Sequence, residues 1–199
     1  MGVTDHPQIA AIVLAGGLSR RAGSRNKLLL PLANAALIVH AVEAALGSLA
    51  TSVIVVTGYD ATRLREALGT RNVIYTHNAD YLEGQASSIR CGLRALPQHI
   101  DGALICLGDM PQIQPQHLNA LVDSFMPDSI SVPMCAGRRG NPVLFPVCLF
   151  PQLNKLIGDT GGRELIATGS TPVIEVEVDS SAIFYDVDHA DDLDVLNGK

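Results

Sequence analysis

Residues 9–27 place an apolar strand directly before a glycine turn and a cluster of cations. Ile9–Leu14 form an uninterrupted apolar run, which is typical of a strand covered on both faces. Gly16 and Gly17 permit positive φ angles and let a ligand approach the bare backbone, whose N–H groups can converge on an anion. Four of the fourteen Lys and Arg residues of this chain, whose formal net charge is −6, follow at once: Arg20, Arg21, Arg25 and Lys27. This concentration of positive charge predicts a binding site for a polyanion.

The spacing of these residues excludes two common phosphate loops. Gly16, Gly17 and Gly23 do not fit G-x-G-x-x-G, and no Gly-Lys-Ser/Thr follows them, so neither a dinucleotide fingerprint nor a P-loop is present. Residues 14–27 instead resemble the nucleotidyltransferase signature L-A-A/G-G-x-S-x-R-M-G-x(2,3)-K, with Ala22 where Met is usual. The alternative interpretation is a glycine turn followed by exposed basic residues.

The composition indicates one domain spanning residues 1–199. A hydrophobic content of 47% is ample for a substantial core. No apolar run approaches the ~18 residues of a membrane span, and the first eight residues are polar, so we expect a cytoplasmic protein without a signal peptide. The four cysteines lack metal-site spacing and are expected to be reduced thiols. The acidic balance argues against nucleic acid or membrane partners, and the oligomeric state is left open.

Hydrophobic periodicity predicts alternating strands and helices after the first strand. The predicted strands are Val53–Val56, Val73–Thr76, Ala103–Leu107, Ile130–Val132, Val143–Phe145 and Val173–Val178. The predicted helices are Leu37–Leu49, Ala61–Leu68, Ser87–Leu96, Gln116–Phe125 and Asp191–Leu196. Short buried strands separated by helices predict a three-layer α/β sandwich with a mainly parallel sheet.

Polar residues follow several of these strands. In open parallel sheets, ligands bind beyond the carboxyl ends of the strands, so the residues there are candidate ligand contacts. Asp109 follows a buried strand and precedes Met-Pro, which places its carboxylate at the rim beside the glycine turn. Mg²⁺ prefers one or two carboxylates together with phosphate oxygens, and Asp109 is suited to supply one of them. The alternative is a turn-forming Asp ahead of a proline.

Later segments extend the resemblance along the chain. Leu107–Pro111 is similar to the metal-binding G-D-x-P motif of the same nucleotidyltransferases, and Asp186–Leu193 resembles their closing D-x-D-T-P-E-D-L, with His189 and Ala190 in place of Thr and Pro. Three further segments resemble motifs of the molybdenum-cofactor branch: Tyr81–Ile89, Gly140–Phe145 and Gly158–Arg163. The chain is therefore similar to the MobA/MocA-like nucleotidyltransferases, and most similar among them to molybdenum cofactor cytidylyltransferase. That resemblance implies a Rossmann-like sheet of the nucleotide-diphospho-sugar transferase type.

The resemblance also implies an activity: Mg²⁺-dependent transfer of a nucleoside monophosphate from an NTP to the phosphate of molybdopterin, with release of pyrophosphate. Its implied catalytic residues are Arg21 for the β and γ oxygens, Lys27 for the α-phosphate, and Asp109 for Mg²⁺. Asp188 is implied as a second metal ligand, although an acidic cap of the last helix is the alternative. The implied nucleotide-binding residues are Leu14, Ala15, Gly16, Gly17, Ser19, Arg21, Lys27, Gly58, Asn78 and Gly108.

The residues expected to bind the acceptor lie in the later motifs. The implied acceptor-binding residues are Gln85, Ser87, Ser88, Asn141, Asp159 and Arg163. Two of them have ordinary structural alternatives, because Ser87 is placed to cap a helix and Arg163 can pair with a surface carboxylate. A molybdoenzyme or a chaperone that receives the product is the implied protein partner.

The choice of base and the activity itself have alternatives. Cytidylyl members of the family usually read Ala-Ala-Gly where guanylyl members read Ala-Gly-Gly, and this chain has Ala15-Gly16-Gly17. The absence of a methyl group at position 16 would leave room for a purine. One methyl contact corresponds to a preference of about tenfold for the purine nucleotide over the pyrimidine nucleotide. The later motifs are closer to the cytidylyl proteins, so we expect CTP, with GTP as the alternative. Transfer to another small phosphorylated acceptor and a silent nucleotide-binding or cofactor-chaperone role are the competing functions.

Overall fold

A computed structural model describes residues 6–18, 26–188 and 192 of the chain. The strands in this part of the chain are β1 (Ile9–Ala15), β2 (Pro31–Leu32), β3 (Ala35–Ala36), β4 (Ser52–Thr57), β5 (Ile74–His77), β6 (Gly102–Leu107), β7 (Ile130–Cys135), β8 (Arg138–Arg139), β9 (Val143–Pro146) and β10 (Val173–Glu177). The helices are α1 (Leu37–Leu46), α2 (Ala61–Leu68), α3 (Gln85–Arg94), α4 (Pro115–Asp123), α5 (Phe150–Leu153) and α6 (Arg163–Ala167).

One central sheet organises the described residues. Its strand order is β10-β7-β9-β6-β1-β4-β5, and β8 pairs with β7 at one end of that strand. The pairs β1–β4, β1–β6, β4–β5 and β7–β10 are parallel, whereas β9 runs antiparallel between β6 and β7. This arrangement confirms the predicted α/β class with a mainly parallel sheet.

Strand β1 lies at the centre of this sheet, and its side chains enter two separate cores. Ile9, Ala11 and Val13 pack on one face with residues of α1, α2 and α4, while Ala10 and Ile12 pack on the other with residues of α3 and α5. The alternation follows from the two-residue period of a strand and explains why the apolar run is uninterrupted. Helices therefore cover both faces, which gives the three predicted layers.

All the predicted strands and the first four predicted helices are confirmed, with shifted ends for most of them. α1 ends at Leu46 rather than Leu49, where the Gly47 N–H closes the helix on the carbonyl of Glu43 at 2.9 Å. The strand predicted over Ile130–Val132 continues through Pro133 to Cys135. The hairpin of β2 and β3, β8 and α5 were not predicted. The predicted helix Asp191–Leu196 lies outside the described residues except for Asp192.

Parallel pairing brings the carboxyl ends of β1, β4, β5 and β6 to one edge of the sheet, and β9 begins at the same edge because it runs antiparallel to β6. The residues after these strands therefore meet there, as the sequence predicted. Each helix that the structure describes is too short or too polar to cross a membrane.

Candidate active site

A cleft of about 840 Å³ opens at this edge of the sheet. We call its two sides the turn wall and the loop wall. The loop wall comprises residues 81–85 and Asp159, and the turn wall comprises Leu14, residues 16–18, Lys27, Asp109, Asp186 and Asp188. Ser88 of α3 lies between them. The cleft is lined by Leu14, Gly16, Gly17, Leu18, Lys27, Leu28, Tyr81, Leu82, Glu83, Gly84, Gln85, Ser88, Leu107, Asp109, Asp159, Asp186 and Asp188.

Lys27 is the charged centre of the turn wall. Its Nζ donates to Asp109 Oδ2 at 2.6 Å and to the carbonyl of Val187 at 2.8 Å, and lies 3.6 Å from Asp188 Oδ1. The Lys27 and Asp109 side chains are only 15% and 20% exposed, so their attraction is less screened by water than that of a surface pair. The residues predicted for the α-phosphate and for the metal thus lie in direct contact.

The closing segment reaches this centre through the backbone. Val187 N–H donates to the carbonyl of Asp109 at 2.9 Å, which places Asp186 and Asp188 on either side of the contact. Partial loss of solvent raises the pKa of Asp186, and the negative charge of Asp109 raises it further. Asp186 was not predicted as a site residue. The closing motif Asp186–Leu193 was recognised, but only Asp188 was assigned from it.

One carboxylate oxygen of Asp109 accepts no hydrogen bond from the described residues. Its Oδ1 is buried and has no hydrogen-bond partner among the described residues, whereas its Oδ2 accepts from Lys27. In residues 6–18, 26–188 and 192, no three Asp, Glu, His or Cys side chains are grouped to hold a metal ion by themselves. A cation at Asp109 would therefore need additional oxygens from a ligand, as Mg²⁺ commonly does with phosphates.

The glycine turn is held by close backbone contacts. The N–H of Tyr59 donates to the carbonyl of Gly16 at 3.3 Å, and a Cβ atom on Gly58 would come within 2.6 Å of that same oxygen. Gly108 is equally constrained, since its Cβ would lie 2.9 Å from the carbonyl of Leu14. Gly58, Gly108 and Ala15 do not line the cleft, and Gly58 and Gly108 lie against the backbone of the turn, so their contact with a nucleotide stays a prediction.

Asn78 and Ser87 also have structural roles. The side chain of Asn78 is buried, and its Nδ2 donates to Ser87 Oγ at 2.8 Å and to Ser88 Oγ at 3.1 Å. Ser87 Oγ in turn donates to the carbonyl of Gly84 at 2.8 Å, at the start of α3. Neither Asn78 nor Ser87 lines the cleft, and burial and these bonds hold both side chains within the protein, so their direct contact with a ligand stays a prediction that this geometry does not favour.

On the loop wall, the motif Tyr81–Ile89 packs against the motif Gly158–Arg163. A Cβ on Gly84 would lie 2.5 Å from both the carbonyl carbon and the carbonyl oxygen of Gly158. The backbone N–H of Gln85 donates to Asp159 Oδ1 at 3.2 Å, and that of Ala86 donates to the carbonyl of Gly158 at 3.1 Å. Gln85 and Asp159, both predicted acceptor contacts, are therefore neighbours in the cleft.

Other predicted residues lie apart from this arrangement. Arg163 begins α6 as an exposed residue and does not line the cleft. Asn141 is half-buried at the same edge of the sheet, where its N–H donates to the carbonyl of Ile183 at 2.9 Å, and it does not line the cleft either. Ser19 and Arg21 lie outside the described residues. Tyr81 and Glu83 line the cleft, although only the motif that contains them was noted in the sequence.

The chain resembles several known proteins along most of its length. Residues 11–173 match the family model of the MobA-like NTP transferase domain. The chain is 32% identical to the purine catabolism protein PucB of Bacillus subtilis (strain 168), with 96% of each chain covered. It is 30% identical to the nicotine blue oxidoreductase of Paenarthrobacter nicotinovorans over 82% of this chain and 83% of that protein. The structure of Rv0371c from Mycobacterium tuberculosis H37Rv in complex with manganese superposes with a TM-score of 0.83 at 29% identity, covering 96% of this chain and 99% of that one.

Proposed function

Because this chain belongs to the MobA-like NTP transferase family, we propose that it transfers CMP from CTP to the terminal phosphate of molybdopterin. The family match supports nucleotidyl transfer of the MobA-like type, and the cytidine donor and pterin acceptor are our proposal. A phosphate oxygen of the acceptor forms a bond to the α-phosphorus of the nucleotide. The bond from the α-phosphorus to the bridging oxygen breaks, and pyrophosphate leaves with that oxygen.

The observation that carries the proposal is the contact of Lys27 with Asp109 in the cleft that the glycine turn also lines, 2.6 Å between Nζ and Oδ2. Nucleotidyl transfer requires positioning and charge stabilisation more than covalent chemistry from the protein. Lys27 supplies a cation, and the backbone of Gly16 and Gly17 faces the same cleft. We propose that Lys27 stabilises the charge that develops on the α-phosphate and that Arg21 holds the β and γ oxygens.

We propose Mg²⁺ as the cofactor, held by Asp109 and Asp188. The buried Oδ1 of Asp109, which has no hydrogen-bond partner in the described part of the chain, supports this fit, since a buried carboxylate oxygen is stabilised by a cation. The solved manganese complex of Rv0371c, a protein 29% identical to this chain, also supports a divalent cation. When bound, such an ion neutralises charge on the phosphate oxygens. Removal of the metal with EDTA should abolish turnover, and added Mg²⁺ should restore it.

The structure changes the argument about the base. A Cβ on residue 16 would lie 3.1 Å from Ser88 Oγ and 3.5 Å from the backbone nitrogen of Gly58. The methyl group that Gly16 lacks would therefore point toward Ser88 and the backbone of Gly58, so the space that its absence leaves is bounded by these two residues. The presence of glycine at position 16 is therefore a weaker argument for GTP, and we rely on the later motifs, which favour CTP. GTP is the alternative donor.

The acceptor proposal rests on the loop wall. The segments 81–89 and 158–163, which resemble motifs of the molybdenum-cofactor branch, pack against each other through Gly84 and Gly158 beside the cleft. Their contact supports a shared role in holding one ligand. We propose that Gln85 and Asp159 contact the pterin, and that a molybdoenzyme or chaperone receives the product.

Pyrophosphate release with each of the four nucleoside triphosphates, with and without molybdenum cofactor, tests this function. We expect release that requires the cofactor and is fastest with CTP. Release only with another phosphorylated acceptor would contradict the pterin, and no release under any condition would indicate a nucleotide-binding or chaperone role. Calorimetric titration checks the base separately, because binding of GTP about tenfold more tightly than CTP would overturn our choice.

A further inference from the structure

Lys27, the cation of the turn wall, lies between two buried residues. Asn26 and Leu28 are 1% and 5% exposed, whereas Lys27 lines the cleft. Leu28 belongs to an apolar core, and its Cδ1 would lie 3.6 Å from a Cβ on Gly108, the residue before Asp109. Asn26 is instead a buried polar residue, and a buried amide is costly unless it is hydrogen-bonded. The hydrogen bonds of Asn26 therefore bear on how Lys27 is held.

Asn26 fixes the backbone of the short turn that carries Lys27. It is the N-cap of a single 3₁₀ turn, Lys27–Leu29, and its Oδ1 accepts from the N–H of Leu28 at 3.1 Å. Its backbone carbonyl accepts from the N–H of Leu29 at 3.0 Å. An N-cap side chain satisfies a backbone N–H that has no partner within the turn itself. These bonds set the direction in which the Lys27 side chain leaves the backbone.

The same amide ties this turn to the glycine turn. Asn26 Nδ2 donates to the carbonyl of Tyr59 in a long hydrogen bond of 3.5 Å. The N–H of Tyr59 donates in turn to the carbonyl of Gly16 at 3.3 Å. Neither Asn26 nor Tyr59 lines the cleft. Asn26 is therefore connected both to Lys27 and to the backbone that faces the cleft beside it.

We propose that Asn26 is a positioning residue, which holds the Lys27 ammonium at a fixed place relative to the glycine turn and to Asp109. In the signature that residues 14–27 resemble, position 26 is unspecified. The inference rests on the proposed function, in which Lys27 stabilises the charge that develops on the α-phosphate. A cation stabilises a transition state best when it is already in place, and a displacement of about 1 Å can lower a rate by about 100-fold.

Lysine acylation measures how Lys27 is held without any substrate. The chain has three lysines, Lys27, Lys155 and Lys199, so mass spectrometry of peptides after limited treatment with acetic anhydride distinguishes them. In the wild-type protein Lys27 Nζ donates to Asp109 and should react slowly, whereas Lys155 is exposed and serves as the internal reference. Asn26→Ala should raise the acylation of Lys27 relative to Lys155 by about fivefold, the effect of one lost hydrogen bond. Unchanged acylation of Lys27 in the folded variant would overturn the inference.

Steady-state kinetics of pyrophosphate release test the consequence. Asn26→Ala should lower kcat by about tenfold and leave the KM for CTP within about twofold of wild type, because the cation acts mainly in the transition state. Asn26→Ser keeps an N-cap acceptor and should recover most of kcat. The matched control is Asn119→Ala on α4, which does not line the cleft and loses a bond of 2.8 Å from the N–H of Leu49. It should keep both kcat and the acylation of Lys27.

A double-mutant cycle separates the positioning of Lys27 from a general structural role. Asn26→Ala should have no further effect on kcat in the Lys27→Ala background, because the group that it positions is already absent. An equal loss in both backgrounds would mean a structural role only and would overturn the inference, as would a raised KM for CTP at unchanged kcat. Absence of pyrophosphate release from the wild-type protein would instead contradict the proposed function, and acylation would still decide whether Asn26 holds Lys27.

Discussion

The turn wall and the loop wall of the cleft are built by different means. On the turn wall, Lys27 and Asp109 meet through charged side chains, 2.6 Å apart, on a backbone that other residues already support. On the loop wall, Gly84 and Gly158 meet through the backbone itself, so closely that a methyl group on Gly84 would overlap the carbonyl of Gly158. We therefore expect the turn wall to keep its backbone when a charged side chain is removed, and the loop wall to change its backbone when one methyl group is added to Gly84.

The largest effect is expected on the turn wall. Lys27→Ala and Asp109→Ala should each lower kcat by about 100-fold or more, because an electrostatic stabiliser of the transition state is lost. Both variants should keep the fold, since the side chains line a cleft and are not part of either apolar core. Steady-state rates of pyrophosphate release together with circular dichroism provide the measurement. A folded variant with near wild-type turnover would remove that residue from the mechanism.

The same pair also shows how far the sequence could predict the site. Lys27 and Asp109 are 82 positions apart, yet Asp109 comes just after β6, Lys27 lies on the segment that follows β1, and the parallel β1–β6 pair brings the two strand ends together. The resemblance assigned only Asp188 of the closing motif, whereas the bond from the N–H of Val187 to the carbonyl of Asp109 brings Asp186 to the cleft as well. No local pattern reports such a bond. Likewise, the sequence does not reveal that Asn78, a polar residue at a strand end, is buried and bonded to Ser87 and Ser88, and its contact with a ligand stays a prediction.

The fold was predicted more completely than the site because it depends on periodicity. The uninterrupted apolar run of β1 and the bounds of α2 were predicted correctly. Short elements without an apolar period were not, and β8, which consists of Arg138–Arg139, pairs with β7 despite two exposed cationic side chains. Its pairing is supported by contacts distant in sequence: the Arg138 guanidinium lies 4.5 Å from the ring centroid of Phe184, and Arg139 pairs with Glu175 at 2.7 Å.

The next effect concerns the stability of the loop wall. Gly84 has φ +95° and ψ −176°, a region open essentially to glycine alone, and its Cβ would clash with Gly158. Gly84→Ala should therefore lower the free energy of unfolding by about 3 kcal/mol. Gly158→Ala is the matched control, because its φ is +65° but its Cβ would meet nothing within 4 Å, and it should cost only about 1 kcal/mol. Denaturant titration measures both, and equal losses would mean that the close contact between the two glycines contributes nothing.

The smallest effect distinguishes two predicted acceptor contacts on or near the loop wall. Gln85 lines the cleft beside Asp159, while Arg163 is exposed at the start of α6 and does not line it. Gln85→Ala should raise the KM for the pterin by about fivefold, the effect of one lost hydrogen bond, and leave nucleotide binding unchanged. The sequence motif predicts the same selective rise in the KM for the pterin in Arg163→Ala. Because Arg163 lies outside the cleft, the structure predicts a smaller rise in that KM. Steady-state kinetics at saturating CTP, with calorimetry of the nucleotide, separates the two substrates. A larger rise in Arg163→Ala than in Gln85→Ala would mean that the acceptor extends beyond the cleft toward α6, and a loss of CTP affinity in either variant would place that residue on the nucleotide instead.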